Sequence, residues 1–236
     1  YITLDSDDGE SYLRCYGGEE HGSLDLTDSF AESCNASYAN IGTMLPDGLL
    51  AKTAEDLYFG KKLPTAFTTA VSKFELKSTD TPWQTGATAI GQGDTVISPM
   101  HAAMIASAIA NGGTIMEPYV VDSVMTADGH LVKQYDAKKG PELMSKSEAG
   151  TLTDMMQAVI NYGTGYGLAY RDYTCAGKTG TGEVAGSGNN AWFIGFAPAE
   201  DPQIAVAVLV EDTEGTSSLA AVPIAGEIFD CYLNQA

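Results

Sequence analysis

Basic residues are scarce in this chain of 236 residues, which has 12 Lys+Arg against 31 Asp+Glu and a formal net charge of −19 at pH 7. A surface of this sign repels the phosphates of nucleic acids and of anionic lipids. The composition therefore argues against a nucleic-acid partner. A soluble acidic surface is the simpler interpretation of the charge.

Long apolar runs and metal-binding motifs are also absent. No stretch approaches the ~20 apolar residues of a membrane span, and no secretory signal opens the sequence. The four cysteines form no Cys-x-x-Cys pair, and the three histidines lack ligand spacing. From spacing we predict no metal site, no cofactor and buried free thiols. The residues concerned are Cys15, Cys34, Cys175, Cys231, His21, His101 and His130.

Helix signals occur in several segments. Apolar residues recur at helical spacing between Phe30 and Leu45, and this period alone predicts one continuous helix. Ser98-Pro99 predicts a capped helix, and Ser145-x-x-Glu148 is a capping-box pattern before another. A short helix is expected at 53–60. A further helix is expected to close the chain.

Strand signals are concentrated in the second half. Asp128-Gly129 predicts a hairpin turn, and the segments NNAWFIGFAPAE and PQIAVAVLVEDT predict two adjacent strands. Residues 1–24 are polar and turn-rich, and residues 60–92 are predicted to be a long irregular loop. Because the helices and strands do not alternate as in βαβ units, we predict an α/β fold of the α+β type. One domain fragment, 1–236, would contain an all-helical subregion at roughly 25–112 and a sheet-forming part at roughly 113–236.

The segment CAGKTGTGE, residues 175–183, allows two interpretations. A phosphate-binding loop requires Gly-x-x-x-x-Gly-Lys-[Ser/Thr], so that backbone N–H groups surround the phosphates. Counting back from Gly177 places Asp172 at the first glycine position, where a carboxylate would repel phosphate. The glycines after Thr179 also make a poor helix start. An edge strand that binds a substrate carboxylate is the better interpretation.

That second interpretation has support elsewhere in the chain. Lys-Thr-Gly stands at 178–180 and Ser-x-Asn at 33–35. With their flanking segments they resemble, in order and over nearly the whole chain, the transpeptidase domain of class B penicillin-binding proteins, whose other motif is Ser-x-x-Lys. Either triplet alone would be a weak signal. The segments are HGSLDLTDSFAESCNASYANIG, AIGQGDTVISPMHAAMIASAIANGGTIMEPYVV, YGTGYGLAYRDYTCAGKTGTGE and AWFIGFAPAEDPQIAVAVLVE.

The resemblance implies a serine β-lactamase/transpeptidase-like fold, an antiparallel sheet flanked by helices with an all-helical subregion. It also implies acyl transfer from D-alanyl-D-alanine stem peptides of peptidoglycan through a serine ester, with β-lactams competing. In such a site Ser33 would pass a proton toward the leaving amine, and Asn35 would bind the substrate backbone. A plain structural alternative is that both are ordinary residues of one continuous helix, whereas the resemblance implies a break in the helix at Ser-x-Asn.

The same resemblance assigns the lysine triplet. Lys178 would lie near Ser33 and attract the terminal carboxylate, which the hydroxyls of Thr179 and Thr181 would also bind. Gly180 would let the backbone approach the ligand closely. The backbone N–H of Thr181 would form half of an oxyanion hole. No metal is implied.

The sequence contains no Ser-x-x-Lys, because none of its serines has lysine three positions on. We therefore expect the nucleophile, its helix and a membrane anchor upstream of Tyr1, and an isolated chain that does not acylate. An upstream fragment or a second copy would then cover the apolar surface left without that helix. The family acts at the extracytoplasmic face of the bacterial membrane. Two other functions remain open, a non-catalytic β-lactam sensor and a serine β-lactamase, although no Glu-x-x-x-Asn element follows Ser33.

Overall fold

Helices form largely where capping and periodicity predict them. The computed structural model describes residues 1–184 and 186–234. Ser98 caps its helix by accepting from the N–H of His101, and Ser145 and Glu148 form the predicted capping box. The helices are α1 (Leu26–Ala31), α2 (Asn35–Met44), α3 (Leu49–Asp56), α4 (Pro82–Ala89), α5 (Pro99–Ala110), α6 (Lys146–Asn161) and α7 (Ser217–Leu233).

The single helix predicted between Phe30 and Leu45 is wrong. α1 ends at Ala31 and α2 begins at Asn35. Between them Ser33 adopts a left-handed backbone conformation with φ 54°, which an α-helix cannot contain. The apolar period runs on through both short helices, so the pattern conceals the turn between them.

The prediction of an irregular loop over 60–92 is wrong for α4. Thr81 and Gln84 form a reciprocal capping box, and Pro82 occupies the first turn. These signals were present in the sequence. α3 corresponds to the short helix expected at 53–60, but it lies several residues earlier.

Strands form three two-stranded pairs and one three-stranded sheet in the described part of the chain. β1 and β2 make an N-terminal hairpin that the sequence analysis missed, and β4 and β5 are the hairpin predicted around Asp128-Gly129. The strands are β1 (Ile2–Ser6), β2 (Gly9–Leu13), β3 (Thr114–Glu117), β4 (Ser123–Met125), β5 (Leu131–Gln134), β6 (Lys138–Glu142), β7 (Ala176–Gly182), β8 (Asn189–Ala197) and β9 (Ile204–Thr213).

The three-stranded sheet has the antiparallel order β7-β8-β9, so the predicted pairing of the last two strands is confirmed. On one face, Phe193 and Phe229 are fully buried between β8 and α7. On the other face, Phe196 packs with Met156 of α6. Helices on both faces leave β7 as an edge strand held between two apolar layers.

These features confirm a mixed α/β fold with antiparallel sheets flanked by helices. Helices α1–α5 fall within 25–112, and strands β3–β9 follow it. The subregion boundaries themselves stay a prediction. Among the residues described, none of the helices has the length and apolar character needed to cross a membrane.

Candidate active site

A cleft of about 880 Å³ separates the edge strand β7 from the turn between α1 and α2. Strand β2, helix α4, the segments that follow each of them and the start of α7 contribute further parts of its walls. All six residues singled out from the sequence line this one cleft, although they come from segments more than 140 positions apart. They are Ser33, Asn35, Lys178, Thr179, Gly180 and Thr181.

The turn that carries Ser33 and Asn35 is held by few interactions. The N–H of Ser33 donates to the carbonyl of Phe30 at 3.2 Å, and the N–H of Cys34 donates to the carbonyl of Ser29 at 2.9 Å. Nδ2 of Asn35 donates to the carbonyl of Arg14 at 3.0 Å. Within residues 1–184 and 186–234, the hydroxyl of Ser33 makes no side-chain hydrogen bond. That hydroxyl is therefore available to a ligand in the cleft.

The side chain of Lys178 extends from β7 toward the ring of Phe30 in α1. Its Nζ donates to the carbonyl of Thr179 at 3.0 Å and lies 5.5 Å from the centre of the Phe30 ring. Burial disfavours the charged form and lowers the pKa of Lys178 to about 8. At neutral pH the amine is still mostly protonated. The cleft thus contains a poorly solvated cation, which attracts a carboxylate strongly.

The amine of Lys178 and the Ser33–Asn35 turn share the cleft without bonding to each other. The amine is bonded to its own strand, whereas the Asn35 amide is bonded to Arg14 on the β2 side. The two groups therefore lie on facing walls of one cleft, and a close approach of Lys178 to Ser33 stays a prediction. A ligand between the walls is needed to connect them.

The two threonines of β7 differ in their surroundings. Thr179 is buried, and its Oγ1 lies 2.5 Å from Oγ1 of Thr164. Thr181 is more open, and its Oγ1 lies 2.8 Å from Oγ of Ser217. Since the Ser217 hydroxyl donates to the carbonyl of Gly180 at 2.6 Å, the Thr181 hydroxyl is the donor between them. Of the two, Thr181 is better placed to turn toward a ligand.

Sequence reasoning missed Thr164 and Ser217, which also line the cleft. Thr164 follows α6 and is anchored by its N–H to the carbonyl of Ala31 at 3.1 Å. Ser217 is almost fully buried at the start of α7. Its sequence context, a polar cluster before an apolar helix, indicates only a cap. Nothing in the spacing connects it with Thr181.

Two glycines of β7 have different reasons to be glycine. A Cβ on Gly177 would lie 2.3 Å from Cζ of Phe193, so the core excludes a side chain there. A Cβ on Gly180 would meet only Cβ of Trp192, at 3.7 Å, which is an ordinary contact. The interior therefore does not require glycine at 180. A close approach of a ligand to the backbone at Gly180 stays a prediction.

The fold also assembles a group that spacing did not predict. Cys15, His21 and Cys34 each offer a ligand atom, and these atoms lie within 4.8 Å of one another at the wall of the same cleft. The two sulfurs are 3.7 Å apart. Burial raises the pKa of the Cys34 thiol, but hydrogen bonds with the side chain and backbone of Ser37 outweigh it and lower the pKa to about 7. Metal binding was not expected from sequence because the cysteines are 19 positions apart.

Comparison with known proteins supports the resemblance. The family model described as "Penicillin binding protein transpeptidase domain" matches residues 3–230. The peptidoglycan D,D-transpeptidase PbpA of Mycolicibacterium smegmatis is 33% identical over 232 residues, which cover 92% of this chain and 46% of that protein. Stage V sporulation protein D of Bacillus subtilis is 31% identical over 230 residues, covering 92% of this chain and 35% of that protein.

Solved structures agree in fold. Penicillin-binding protein A from M. tuberculosis, as an imipenem acyl-enzyme complex, superposes with a TM-score of 0.88 at 32% identity, covering 98% of this chain and 53% of that chain. The 236 residues thus span about half or less of the length of these relatives. From the family match over residues 3–230, the identities and the shared fold, the chain belongs to the transpeptidase domain family of the class B penicillin-binding proteins.

Proposed function

We propose that this chain provides two of the three catalytic elements of a peptidoglycan D,D-transpeptidase. The observation that carries the proposal is the single cleft shared by the Ser33–Asn35 turn and the edge strand from Lys178 to Thr181. An extended peptide ending in D-alanyl-D-alanine fits such a cleft, because an edge strand offers unpaired backbone groups along its length.

The carboxylate end of the substrate belongs on β7. The ammonium of Lys178 attracts it, and the hydroxyl of Thr181 donates to it after turning away from Ser217. The hydroxyl of the buried Thr179 also binds the carboxylate, and its position is held by the hydroxyl of Thr164. The open backbone at Gly180 admits the peptide, and the N–H of Thr181 acts as one oxyanion donor. Losing one such donor typically costs about 3–4 kcal/mol of barrier height.

The Ser33–Asn35 turn on the opposite wall binds the peptide backbone and transfers a proton. Asn35 hydrogen-bonds the stem peptide, and Ser33, whose hydroxyl has no side-chain partner in the described residues, relays a proton to the departing D-alanine amine. In this step a serine oxygen forms the ester bond while the D-alanyl-D-alanine amide bond breaks. An amine from a second stem peptide then takes the acyl group and releases the serine.

The nucleophilic serine is proposed to come from a Ser-x-x-Lys segment outside these 236 residues, since no serine here has lysine three positions on. The extent of the match to longer relatives supports a longer polypeptide. We also propose that the cleft lies outside the cytoplasm, where peptidoglycan is crosslinked. The M. tuberculosis relative forms an acyl-enzyme with imipenem, and we propose β-lactams as ligands here also.

A fluorescent penicillin tests the proposal. The chain alone should show no covalent label. A polypeptide that joins it to the upstream Ser-x-x-Lys segment should be labelled with one penicillin per chain. Lys178→Met in that polypeptide should slow labelling by at least ~100-fold, because the carboxylate loses its cation, whereas Lys62→Met should not. Labelling of the isolated chain, or unchanged labelling of Lys178→Met, would contradict the proposal.

We propose that the missing segment, or a second copy, packs on an exposed apolar face of α7. Ile224, Ile228 and Tyr232 of α7 are exposed beside Ile204 of β9, around a shallow pocket of about 470 Å³. Covering this face removes apolar surface from water. Sedimentation of the isolated chain at increasing concentration distinguishes self-association from a monomer, and a monomer at all concentrations would argue against a second copy.

A further inference from the structure

The group Cys15–His21–Cys34, hereafter the Cys2His cluster, has the geometry of an incomplete tetrahedral metal site. Two sulfurs bound at ~2.3 Å to one zinc ion in tetrahedral geometry lie about 3.8 Å apart. The sulfurs of Cys15 and Cys34 are separated by 3.7 Å. This spacing exceeds a disulfide bond of ~2.05 Å. The third ligand atom, on the His21 ring, lies within 4.8 Å of both sulfurs.

The imidazole of His21 has one nitrogen without a partner. Its Nδ1 is buried and makes no hydrogen bond among the described residues. Its Nε2 lies 3.5 Å from a carboxylate oxygen of Glu19. Metal-bound histidines usually donate their second ring N–H to a carboxylate, which fixes the tautomer and increases ligand basicity. The arrangement therefore leaves Nδ1 as the ligand and Glu19 as the residue that positions the ring.

The surroundings favour a soft divalent ion. Two thiolates and one imidazole bind zinc in preference to magnesium or calcium, which take oxygen ligands. Both cysteines are 6% exposed, so the sulfurs are shielded from solvent, while all three residues still line the cleft. The charge of two thiolates cancels that of the ion. The net charge of −19 attracts cations to the surface.

We propose that Cys15, His21 and Cys34 bind one zinc ion, with the fourth position directed to the cleft. The proposal does not depend on the transpeptidase function. Because Cys34 lies between Ser33 and Asn35, the ion would link that turn to the segment after β2. Asn35 already donates to the carbonyl of Arg14, next to Cys15. The ion would thus strengthen a connection that now consists of this hydrogen bond and the contact between the two sulfurs.

Cobalt substitution provides the direct test. The chain is stripped with a chelator, reduced with a phosphine and titrated with Co²⁺. We expect a thiolate-to-cobalt charge-transfer band that saturates at one ion per chain and disappears on adding Zn²⁺. Cys15→Ser and Cys34→Ser should abolish the band. Glu19→Gln should weaken zinc binding about 10–100-fold. Cys231→Ser and His130→Gln, at exposed positions outside the cluster, are matched controls that should bind normally.

A second measurement on the unmodified chain guards against variants that fail to fold. Zn²⁺ should protect Cys15 and Cys34 from alkylation, as located by mass spectrometry, while the exposed Cys231 reacts equally with and without the ion. The proposal is overturned if the reduced chain shows no charge-transfer band. It is also overturned if Cys15→Ser retains the band. Alkylation of Cys15 and Cys34 that zinc leaves unchanged would likewise overturn it, because the pair would then act only as thiols or as a disulfide.

Discussion

The two walls of the cleft differ in how they are held. β7 is paired with β8 from Ala176 to Gly182, and its neighbours Phe193 and Phe196 are fully buried. The turn at Ser33 has a left-handed backbone, and it is held by backbone hydrogen bonds, by the Asn35 side chain and by contacts of the Cys34 sulfur. One wall is therefore a platform, paired along its length and backed by a buried core. The other is a turn with one strained residue.

The largest effect is expected at the platform. Gly177→Ala places a methyl group 2.3 Å from the ring of Phe193. Overpacking of a core typically costs 1–3 kcal/mol, and we expect a loss of about 3 kcal/mol in the free energy of unfolding. Gly180→Ala, three residues along the same strand, is the matched control and should change it by less than about 0.5 kcal/mol. Urea denaturation measures both, and equal losses would contradict the distinction between the two glycines.

A smaller, pH-dependent effect is expected at Lys178. Its pKa in the folded chain is about 8, below the 10.5 of an unperturbed lysine. The unfolded chain therefore binds more protons between these pH values, so the free energy of unfolding rises with pH across this window. Lys178→Met should be more stable than the unsubstituted chain by about 2 kcal/mol at pH 7, because the difference between the two pKa values corresponds to ~3.4 kcal/mol and the lost hydrogen bond from Nζ to Thr179 offsets ~1 kcal/mol of it. This advantage should disappear by pH 10.5.

Other charged groups, notably Glu32 and Glu183, line the same cleft. The pH dependence of stability in Lys178→Met must therefore be compared with that of a second lysine variant. The exposed Lys62, replaced by methionine, serves as the control and should show no pH-dependent advantage. Denaturant midpoints from pH 7 to 10.5 give the comparison. A difference that stays constant with pH would show that the Lys178 amine is not poorly solvated.

The smallest effect is expected at the strained turn. Ser33→Gly removes the Cβ that penalises φ 54°, which costs about 1–2 kcal/mol in a residue with a side chain. Part of that gain is offset by glycine's greater backbone entropy when unfolded. We expect stabilisation of about 0.5–1 kcal/mol in metal-free, reducing buffer. Ser33→Ala keeps the Cβ and should give none, so equal values for the two variants would exclude backbone strain.

The difference between β7 and the turn at Ser33 also explains which of the two could be predicted from the sequence. β7 is recognisable because Lys178-Thr179-Gly180 precedes two strongly apolar strands. The break at Ser33 is invisible to periodicity, since a left-handed residue leaves no trace in the apolar pattern, and only the family resemblance indicated it. α4 had a readable capping box at Thr81 and Gln84 that was outweighed by the surrounding prolines and threonines. The Cys2His cluster depends on long-range packing, which spacing along the chain does not encode.

Phe30 touches both walls of the cleft. Its ring contacts the Lys178 amine, while its backbone carbonyl receives the Ser33 N–H. A ligand that draws the turn inward must therefore move the aromatic cover of the amine and change how much water reaches it. The burial that lowers the pKa of Lys178 thus depends in part on the position of one aromatic ring, which is tied to the turn through its own backbone.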